Sequence, residues 1–221
     1  LDRYFEYPKN IYKNLTTLRD KINNSKDLKK HNKQVNSVEK EITIFHAKVV
    51  NEILKKTKVN VEYIGFHGQT IFHNSEERIT KQIGNGKLLS KLTKKKVVYD
   101  FRQNDLKNGG QGAPMTPIFH KLLAKKLNLK SVTFFNIGGI INETSIFDDG
   151  SLYAHDLGPG MCLVDKWIRK NSKKRYDDKG NIAKRGKINK KIFDKAVRNW
   201  MFTAETELRK SLDTREMELY F

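Results

Sequence analysis

Apolar residues recur at helical spacing along several stretches of the chain. The clearest stretch predicts a helix over residues 36–56, with one apolar face made by Val38, Ile42, Phe45, Val49 and Ile53. Further helices are predicted near residues 117–128, 161–170 and 190–201. Short apolar runs predict strands near residues 61–66, 97–101, 132–136 and 140–146. This alternation predicts an α/β fold in which these strands share one mostly parallel or mixed sheet.

Two glycine-rich turns, each after an apolar run, lie within 25 residues of each other. The first follows Asn136 and contains Gly138 and Gly139, where the missing Cβ atoms allow a ligand or another backbone to come close. The second, Gly158-Pro159-Gly160, follows Asp156 and precedes the helix predicted from residue 161. A carboxylate between a strand and such a turn is a candidate general base, and the alternative is an Asp that caps the helix.

Polar residues also follow two earlier strands. His67-Gly68-Gln69-Thr70 ends the first, and the carboxyl ends of strands are where open α/β sheets bind ligands. Asp100, Arg102 and Asp105 cluster at the end of another. This arginine either forms an internal salt bridge or binds a substrate carboxylate. His67 and His73 lack a close third ligand, so a zinc site there is not expected.

Two further glycine segments have open roles. The glycine loop (residues 108–117) has three glycines within four positions. Its backbone amides cradle a phosphate, or the loop packs at a domain interface. The loop has no Gly-Lys-Ser/Thr ending, so it is not a P-loop. Asn85-Gly86 predicts a tight turn or hairpin.

The amino-acid composition limits the classes of function that the protein can have. The formal net charge of +19 is typical of proteins that bind nucleic acids. The excess is mostly lysine, 34 against 10 arginines, and it is spread in short groups rather than in one stripe. Nucleic-acid binding is therefore not expected.

No apolar run is long enough for a membrane span, and residues 1–5 lack the apolar core of a signal peptide. The single cysteine, Cys162, fits a reducing cytosol.

Taken together, the motifs resemble one family, the anhydro-N-acetylmuramic acid kinases of the sugar kinase, Hsp70 and actin superfamily. The resemblance covers about residues 4–213 and includes a Lys-Ser-Leu-Asp segment at residues 210–213. The motifs that carry it occur in this order: His67-Gly68-Gln69-Thr70, Gln82-Ile83-Gly84, Asp100-Phe101-Arg102, Gly109-Gly110-Gln111-Gly112-Ala113-Pro114, Asn136-Ile137-Gly138-Gly139-Ile140 and Asp156-Leu157-Gly158-Pro159-Gly160.

The resemblance implies a ribonuclease H-like, two-domain α/β enzyme. Residues 1–135 would be most of the sugar-side domain, and residues 136–221 the start of the nucleotide-side domain. Such kinases use ATP and Mg²⁺ to open 1,6-anhydro-N-acetylmuramic acid with water and to phosphorylate O6. The product, N-acetylmuramic acid 6-phosphate, belongs to peptidoglycan recycling in the cytoplasm. Neither a membrane nor a nucleic acid is an expected partner, and a homodimer is left open.

Residue roles follow from the same resemblance. Asp156 matches the family's catalytic base. The sugar contacts would come from His67, Gln69, Thr70, Asp100 and Arg102, the arginine suiting the lactyl carboxylate. The nucleotide contacts would come from Asn136, Gly138, Gly139, Gly158 and Gly160. No protein ligand for a metal is assigned.

Three departures from the family pattern qualify these roles. Leu157 and Met161 stand where the family has Thr and Asn. The family's amino-terminal Gly-Thr-Ser-x-Asp-Gly phosphate loop is absent, and so is most of the second domain. The chain is therefore expected to be an internal piece that does not turn over sugar by itself. The alternatives are a catalytically inactive sugar-binding or regulatory relative and, more remotely, a basic nucleic-acid binder.

Overall fold

The computed structural model describes residues 3–57, 59–207 and 217. The segment at residues 210–213 lies outside these described residues. The chain divides into two compact units, an amino-terminal unit of residues 1–113 and a carboxy-terminal unit of residues 114–221. Both contain helices and small sheets, so the fold belongs to the α/β class. Among the described residues, no helix is both long and apolar enough to cross a lipid bilayer.

The amino-terminal unit begins with three helices. They are α1 (Lys9–Arg19), α2 (Ser25–Lys30) and α3 (Asn32–Lys56). The periodicity at residues 36–56 correctly predicts α3, which extends four residues further toward the amino terminus. Its apolar face packs against α1 and two strands to form the core of the unit, made by Ile11, Leu15, Leu18, Ile22, Val35, Val38, Ile42, Ile71, Phe72 and Ile83.

Two small sheets complete this unit. The strands β1 (Tyr63–Phe66) and β4 (Lys96–Tyr99) pair in parallel, and β2 (Gln69–Asn74) and β3 (Ile79–Ile83) form an antiparallel hairpin. The helix α4 (Gly86–Thr93) connects β3 to β4, and the short helix α5 (Gln103–Lys107) follows β4. The polar motifs thus follow directly after β1 and β4, two neighbouring parallel strands.

The carboxy-terminal unit is built on a three-stranded antiparallel sheet. After α6 (Pro117–Lys126), the strands β5 (Val132–Ile137), β6 (Ile140–Ile146) and β7 (Leu152–Pro159) run in sequence order. The helices α7 (Cys162–Asn171) and α8 (Lys190–Glu207) follow, separated by two short 3₁₀ turns at Asp178–Gly180 and Ala183–Arg185. The four predicted helices are therefore present, each within a few residues of its expected bounds.

The expectation that all these strands share one sheet is wrong. Residues 61–66 and 132–136 belong to β1 and β5, which lie in different sheets. In the order β5-β6-β7, β5 lies at the edge of its sheet and pairs with β6 alone. Only Gly138 and Gly139 separate β5 from β6, and so short a connection makes the two strands pair with each other in an antiparallel hairpin.

The strand ends also differ from expectation at two motifs. Gln69 and Thr70 begin β2 rather than lying in the turn after β1. Gly158 and Pro159 belong to β7, so the chain turns at Gly160 and Met161 instead. Asp156 consequently lies inside β7, not at its end.

Candidate functional site

In the amino-terminal unit, His67 is held by two hydrogen bonds just after β1. Its Nδ1 lies 2.9 Å from the Gly68 carbonyl oxygen, and its Nε2 lies 3.1 Å from the Arg102 Nε. Because the arginine N–H can only donate, Nε2 must accept, and the proton of the ring is on Nδ1. These two contacts therefore assign the Nδ1–H tautomer to His67.

Arg102 lies just before α5 and bonds to two parts of the unit. Besides the bond to His67, its Nη1 donates to the Gly112 carbonyl oxygen at 2.7 Å. Burial lowers the pKa of the Arg102 guanidinium from its ordinary value. Among the described residues, Arg102 forms no salt bridge with Asp100 or Asp105. The interpretation of Arg102 as a member of an internal salt bridge with these acids is therefore wrong.

Asp105 holds the glycine loop instead. Its Oδ2 accepts from the Gly112 amide at 2.7 Å, and its carbonyl oxygen accepts from the Gly110 amide at 2.8 Å. These two amides already have acceptors, so they do not cradle a phosphate in this arrangement. Gly110 also has no room for a side chain, because an added Cβ would lie 2.2 Å from the Asp105 Oδ2.

A cleft of about 330 Å³ in this unit brings together parts of three motifs. His67, Gln82, Gly84 and Asp100 line it, together with Gln103 at the start of α5. Asp100 adopts a left-handed backbone conformation with a φ of 62°, which turns the chain after β4 toward α5. Gln69, Thr70 and Arg102 do not belong to the cleft lining. The structure thus places two of the five sugar-contact candidates in one cleft.

Thr70 joins a polar network beside this cleft. Gln82 donates through Nε2 to the Thr70 hydroxyl at 3.2 Å and to the Thr80 hydroxyl at 2.7 Å. His73 contacts the same Thr80 hydroxyl through Nδ1 at 3.1 Å. The side chain of Gln69 is not part of these bonds, and the residue is exposed.

His73 is the histidine of this network, and it is partly buried. Its Nε2 is buried and has no hydrogen-bond partner among the described residues. Burial lowers the pKa of His73, and the positive charge of Arg102 lowers it further, while the backbone of Gln111 partly opposes the shift. His73 therefore favours its neutral form. From the sequence, His73 was considered only as a possible zinc ligand, and its place in this buried polar network was not predicted.

Sequence reasoning also missed Glu39, which connects α3 to the cleft. Its Oε1 accepts from the Lys81 Nζ at 2.9 Å and from the Gly84 amide at 3.2 Å. Both Glu39 and Gly84 line the cleft. In the sequence, Glu39 is a single acid beside the apolar stripe of α3, and one such residue gives only a weak indication of a functional role.

In the carboxy-terminal unit, Asp156 belongs to a row of polar residues across three strands. Asn136 in β5 stands opposite Asn142 in β6, and Asn142 stands opposite Asp156 in β7. Residues directly opposite each other point to the same face of a sheet, with Cβ atoms about 5 Å apart. We call Asn136, Asn142 and Asp156 the polar row. Asn142 lies outside the candidate residues found from the sequence.

A β-bulge lies beside the polar row. Ile141 pairs with Gly158 and Asn142 pairs with Asp156, so Leu157 is an extra residue in β7. Bulges bend a strand locally and re-aim neighbouring side chains, and they are frequent near active sites. Leu157, which replaces the family's Thr, is therefore at the irregular point of the strand next to Asp156.

The glycine candidates of this unit have different neighbours. Gly160 packs against the hairpin, because its amide donates to the Gly139 carbonyl oxygen at 2.9 Å and an added Cβ would lie 2.3 Å from the Gly138 carbonyl oxygen. Gly158 is buried with a φ of 155°. At Gly138, an added Cβ would lie 3.6 Å from the Ile140 carbonyl oxygen and 3.9 Å from the Asn136 Nδ2, which are ordinary van der Waals distances. The described residues therefore leave room for one methyl group at Gly138.

Metal-binding groups are scattered. Within residues 3–57 and 59–207, no three or more His, Cys, Asp or Glu side chains come together as a metal site would require. Mg²⁺ often binds through only one or two carboxylates together with phosphate oxygens of a substrate.

Comparison with known proteins gives one consistent family. A family model described as anhydro-N-acetylmuramic acid kinase matches residues 2–215 of the chain. The curated relative named anhydro-N-acetylmuramic acid kinase from Pelagibacter ubique is 47% identical over 223 residues, covering 100% of this chain and 59% of the relative.

Two further relatives carry the same name. The protein from Rhizobium etli is 40% identical over 185 residues, covering 81% of this chain and 50% of its own length. The protein from Brucella canis is 39% identical over 182 residues, covering 80% of this chain and 48% of its own length. The chain thus spans about half the length of the curated relatives it matches.

Proposed function

Because this chain belongs to the anhydro-N-acetylmuramic acid kinase family, we propose that it provides the sugar site and the general base of an ATP-dependent sugar kinase. The activity is proposed for a polypeptide of the relatives' length. That enzyme would open 1,6-anhydro-N-acetylmuramic acid with water and transfer the γ-phosphate of ATP to O6. The products would be N-acetylmuramic acid 6-phosphate and ADP, which suits the recycling of peptidoglycan sugars.

One observation supports this proposal most strongly. Residues from three separated motifs, represented by His67, Gln82 and Asp100, line a single cleft in the amino-terminal unit. The cleft is lined by amide, imidazole and carboxylate groups, which suit the hydroxyl and acetamido groups of an amino sugar. A cleft built only to pack the unit would not need so many polar side chains.

In the proposed reaction, Asp156 accepts a proton from water. The water oxygen forms a bond to the anomeric carbon, and the bond from that carbon to O6 breaks. O6 then forms a bond to the γ-phosphorus, and ADP leaves. A carboxylate is needed because water alone is a weak nucleophile. The bulge at Leu157 and the position of Asn142 opposite Asp156 support this role, because a bulge re-aims the side chains beside it.

The sugar contacts are proposed for His67, Gln69, Thr70, Asp100 and Arg102. His67, with Nδ1 protonated and Nε2 accepting from Arg102, would fix the orientation of the guanidinium. The guanidinium retains further N–H donors, which suit the lactyl carboxylate of the substrate. Asp100 in the cleft would accept hydrogen bonds from sugar hydroxyls.

The nucleotide contacts are proposed for Asn136, Gly138, Gly139, Gly158 and Gly160. The space at Gly138 supports this assignment, because a glycine that the protein does not need for its own packing permits close approach of a phosphate. When bound with ATP, Mg²⁺ would neutralise the charge of the phosphates.

Several finer properties are proposed on the same basis. We place the protein in the ribonuclease H-like fold, since β5 to β7 form an antiparallel meander followed directly by α7. The sugar side would comprise residues 1–135 and the nucleotide side residues 136–221. The use of ATP suits the cytoplasm, and a homodimer is compatible with the proposal.

The direct test is product analysis. We expect a polypeptide of the relatives' length to convert the anhydro-sugar and ATP to the sugar 6-phosphate and ADP, as detected by mass spectrometry. The 221 residues by themselves should not do so, because they contain no Gly-Thr-Ser-x-Asp-Gly motif to hold the phosphates of ATP. If the longer polypeptide binds the sugar but forms no product, the inactive sugar-binding alternative is correct instead.

A further inference from the structure

Arg102 is fixed by two partners of different kinds. Its Nε donates to the His67 Nε2 at 3.1 Å, and its Nη1 donates to the Gly112 carbonyl oxygen at 2.7 Å. The first partner belongs to the segment after β1, and the second belongs to the glycine loop. The orientation of the guanidinium therefore depends on where Gly112 lies.

Gly112 is itself held by Asp105. The Asp105 Oδ2 accepts from the Gly112 amide at 2.7 Å, and the Asp105 carbonyl oxygen accepts from the Gly110 amide at 2.8 Å. Gly109 and Gly112 have positive φ values of 87° and 67°, which makes the loop a tight, irregular backbone segment. Without an acceptor for its amides, such a segment has other conformations available to it.

We propose that Asp105 is a positioning residue, which fixes the Arg102 guanidinium through the glycine loop and so determines preference for a sugar that bears a carboxylate. The inference deepens the proposed function and rests on it for the identity of the sugar. Asp105 does not contact the ligand in this scheme. It accepts the Gly112 amide proton, Gly112 accepts from Arg102, and Arg102 is left with its remaining N–H donors for the ligand carboxylate.

The alternative role for Asp105 is to stabilise the fold without affecting specificity. The two roles predict different results, because a general loss of stability weakens binding of every sugar equally. A misplaced Arg102 weakens only the binding of sugars that bear a carboxylate. It also removes the hydrogen bond that the His67 Nε2 accepts, while the Nδ1 contact with the Gly68 carbonyl oxygen remains.

The first measurement uses the 221-residue chain and needs no ligand. Long-range ¹⁵N NMR of the histidine rings reports which nitrogen carries the proton. We expect the Nδ1–H tautomer for His67 in the wild-type chain, and in Asp105→Ala a change in the ¹⁵N chemical shift of Nε2 that marks the loss of its hydrogen bond from Arg102. Asp105→Asn retains a side-chain oxygen acceptor and should restore much of the wild-type signal. Asp20→Ala is the matched control, because Asp20 is an exposed acid of the same unit whose ion pair is with the neighbouring Arg19.

The second measurement compares two sugars in a polypeptide of the relatives' length. These are 1,6-anhydro-N-acetylmuramic acid and 1,6-anhydro-N-acetylglucosamine, which lacks the lactyl carboxylate. We expect Asp105→Ala to lower the ratio of the two kcat/KM values about 10-fold or more, mainly through KM, since a hydrogen bond to a charged group contributes about that factor. Arg102→Gln should lower the ratio similarly, and the double variant should lower it no further than Arg102→Gln alone.

The outcomes separate the two proposals. An unchanged His67 Nε2 chemical shift in Asp105→Ala, or additive effects of the two substitutions on the ratio, would overturn the positioning role of Asp105. If Asp105→Ala does not fold, Asp105→Ser, whose shorter side chain ends before the Oδ2 position, replaces it in both measurements with the same expected and contradicting outcomes. A wild-type polypeptide without preference for the carboxylate-bearing sugar contradicts the proposed substrate, while the NMR result still decides the role of Asp105.

Discussion

Asn142 stands directly opposite Asp156 where β6 pairs with β7, next to the bulge at Leu157. The pairing places an amide side chain and the proposed general base on the same face of the sheet. Asn136 stands on the other side of Asn142, so the polar row connects a proposed nucleotide contact with the proposed base. This relationship makes Asn142 a candidate for orienting the carboxylate or the attacking water.

We therefore expect Asn142→Ala to lower kcat of the longer polypeptide by about 10-fold or more, in line with the loss of a hydrogen bond to a charged group. The matched control is Ser145→Ala. Ser145 is a polar residue of the same strand on the opposite face, where it contacts the Thr133 hydroxyl at 2.9 Å. Steady-state kinetics check this prediction, and equal losses in the two variants would contradict it.

The two glycines Gly138 and Gly160 should respond differently to alanine. Gly138→Ala should leave the stability of the 221-residue chain nearly unchanged, because the added Cβ meets nothing closer than 3.6 Å. Gly160→Ala should destabilise it by roughly 1–3 kcal/mol, because the added Cβ would lie 2.3 Å from the Gly138 carbonyl oxygen. Urea unfolding followed by circular dichroism measures both effects.

In the longer polypeptide, Gly138→Ala should weaken ATP binding by about 10-fold, or about 1.4 kcal/mol. The reason is that the added methyl group occupies the space proposed for a phosphate. Titration calorimetry with ATP checks this. Unchanged affinity would remove Gly138 from the proposed nucleotide contacts.

His73 gives a prediction about pH. Burial, followed by the charge of Arg102, lowers the pKa of His73 below the ordinary histidine value of about 6.5. The unfolded chain therefore binds a proton at a higher pH than the folded chain does. The stability that neutral His73 contributes is complete above about pH 6.5 and is lost as the pH falls toward the folded-state pKa.

An NMR titration should therefore find the His73 pKa below 6.5, and Arg102→Gln should raise it part of the way back. The loss of unfolding free energy between pH 7 and pH 5 should be smaller in His73→Gln than in the wild type. A titration of His73 at or above 6.5 would contradict both the burial and the neighbouring charge.

Much of the fold could be predicted from periodicity. The apolar stripe of α3 and the bounds of β6 follow from the sequence, because burial of one face imposes a period on the chain. The grouping of strands into sheets could not be predicted so well. It depends in part on whether the two residues between β5 and β6 form a hairpin turn. Gly138 and Gly139 were interpreted as a site of close ligand approach, so this turn was not predicted.

In the candidate sites too, the sequence indicated the residue types but not the contacts that they make. The residue types of His67 and Arg102 indicated a polar site, but their mutual hydrogen bond depends on the pairing of β1 with β4. Asn85 was expected to form a tight turn, yet its side chain accepts from the Leu88 amide and caps α4. Side-chain bonds to distant or neighbouring backbone decide such cases, and composition does not reveal them.

The central claim is that Asp156 is the general base of the longer polypeptide. Asp156→Asn keeps the size of the side chain but removes its ability to take a proton. It should lower kcat by at least about 10²-fold while sugar affinity is largely retained, because loss of a positioned base typically has an effect of that size. The most direct measurement is single-turnover formation of the sugar 6-phosphate by the wild type and by Asp156→Asn, with calorimetric sugar binding beside it. Near-normal turnover in the Asn variant would contradict the assignment and make Asp100, which lines the amino-terminal cleft, the next candidate.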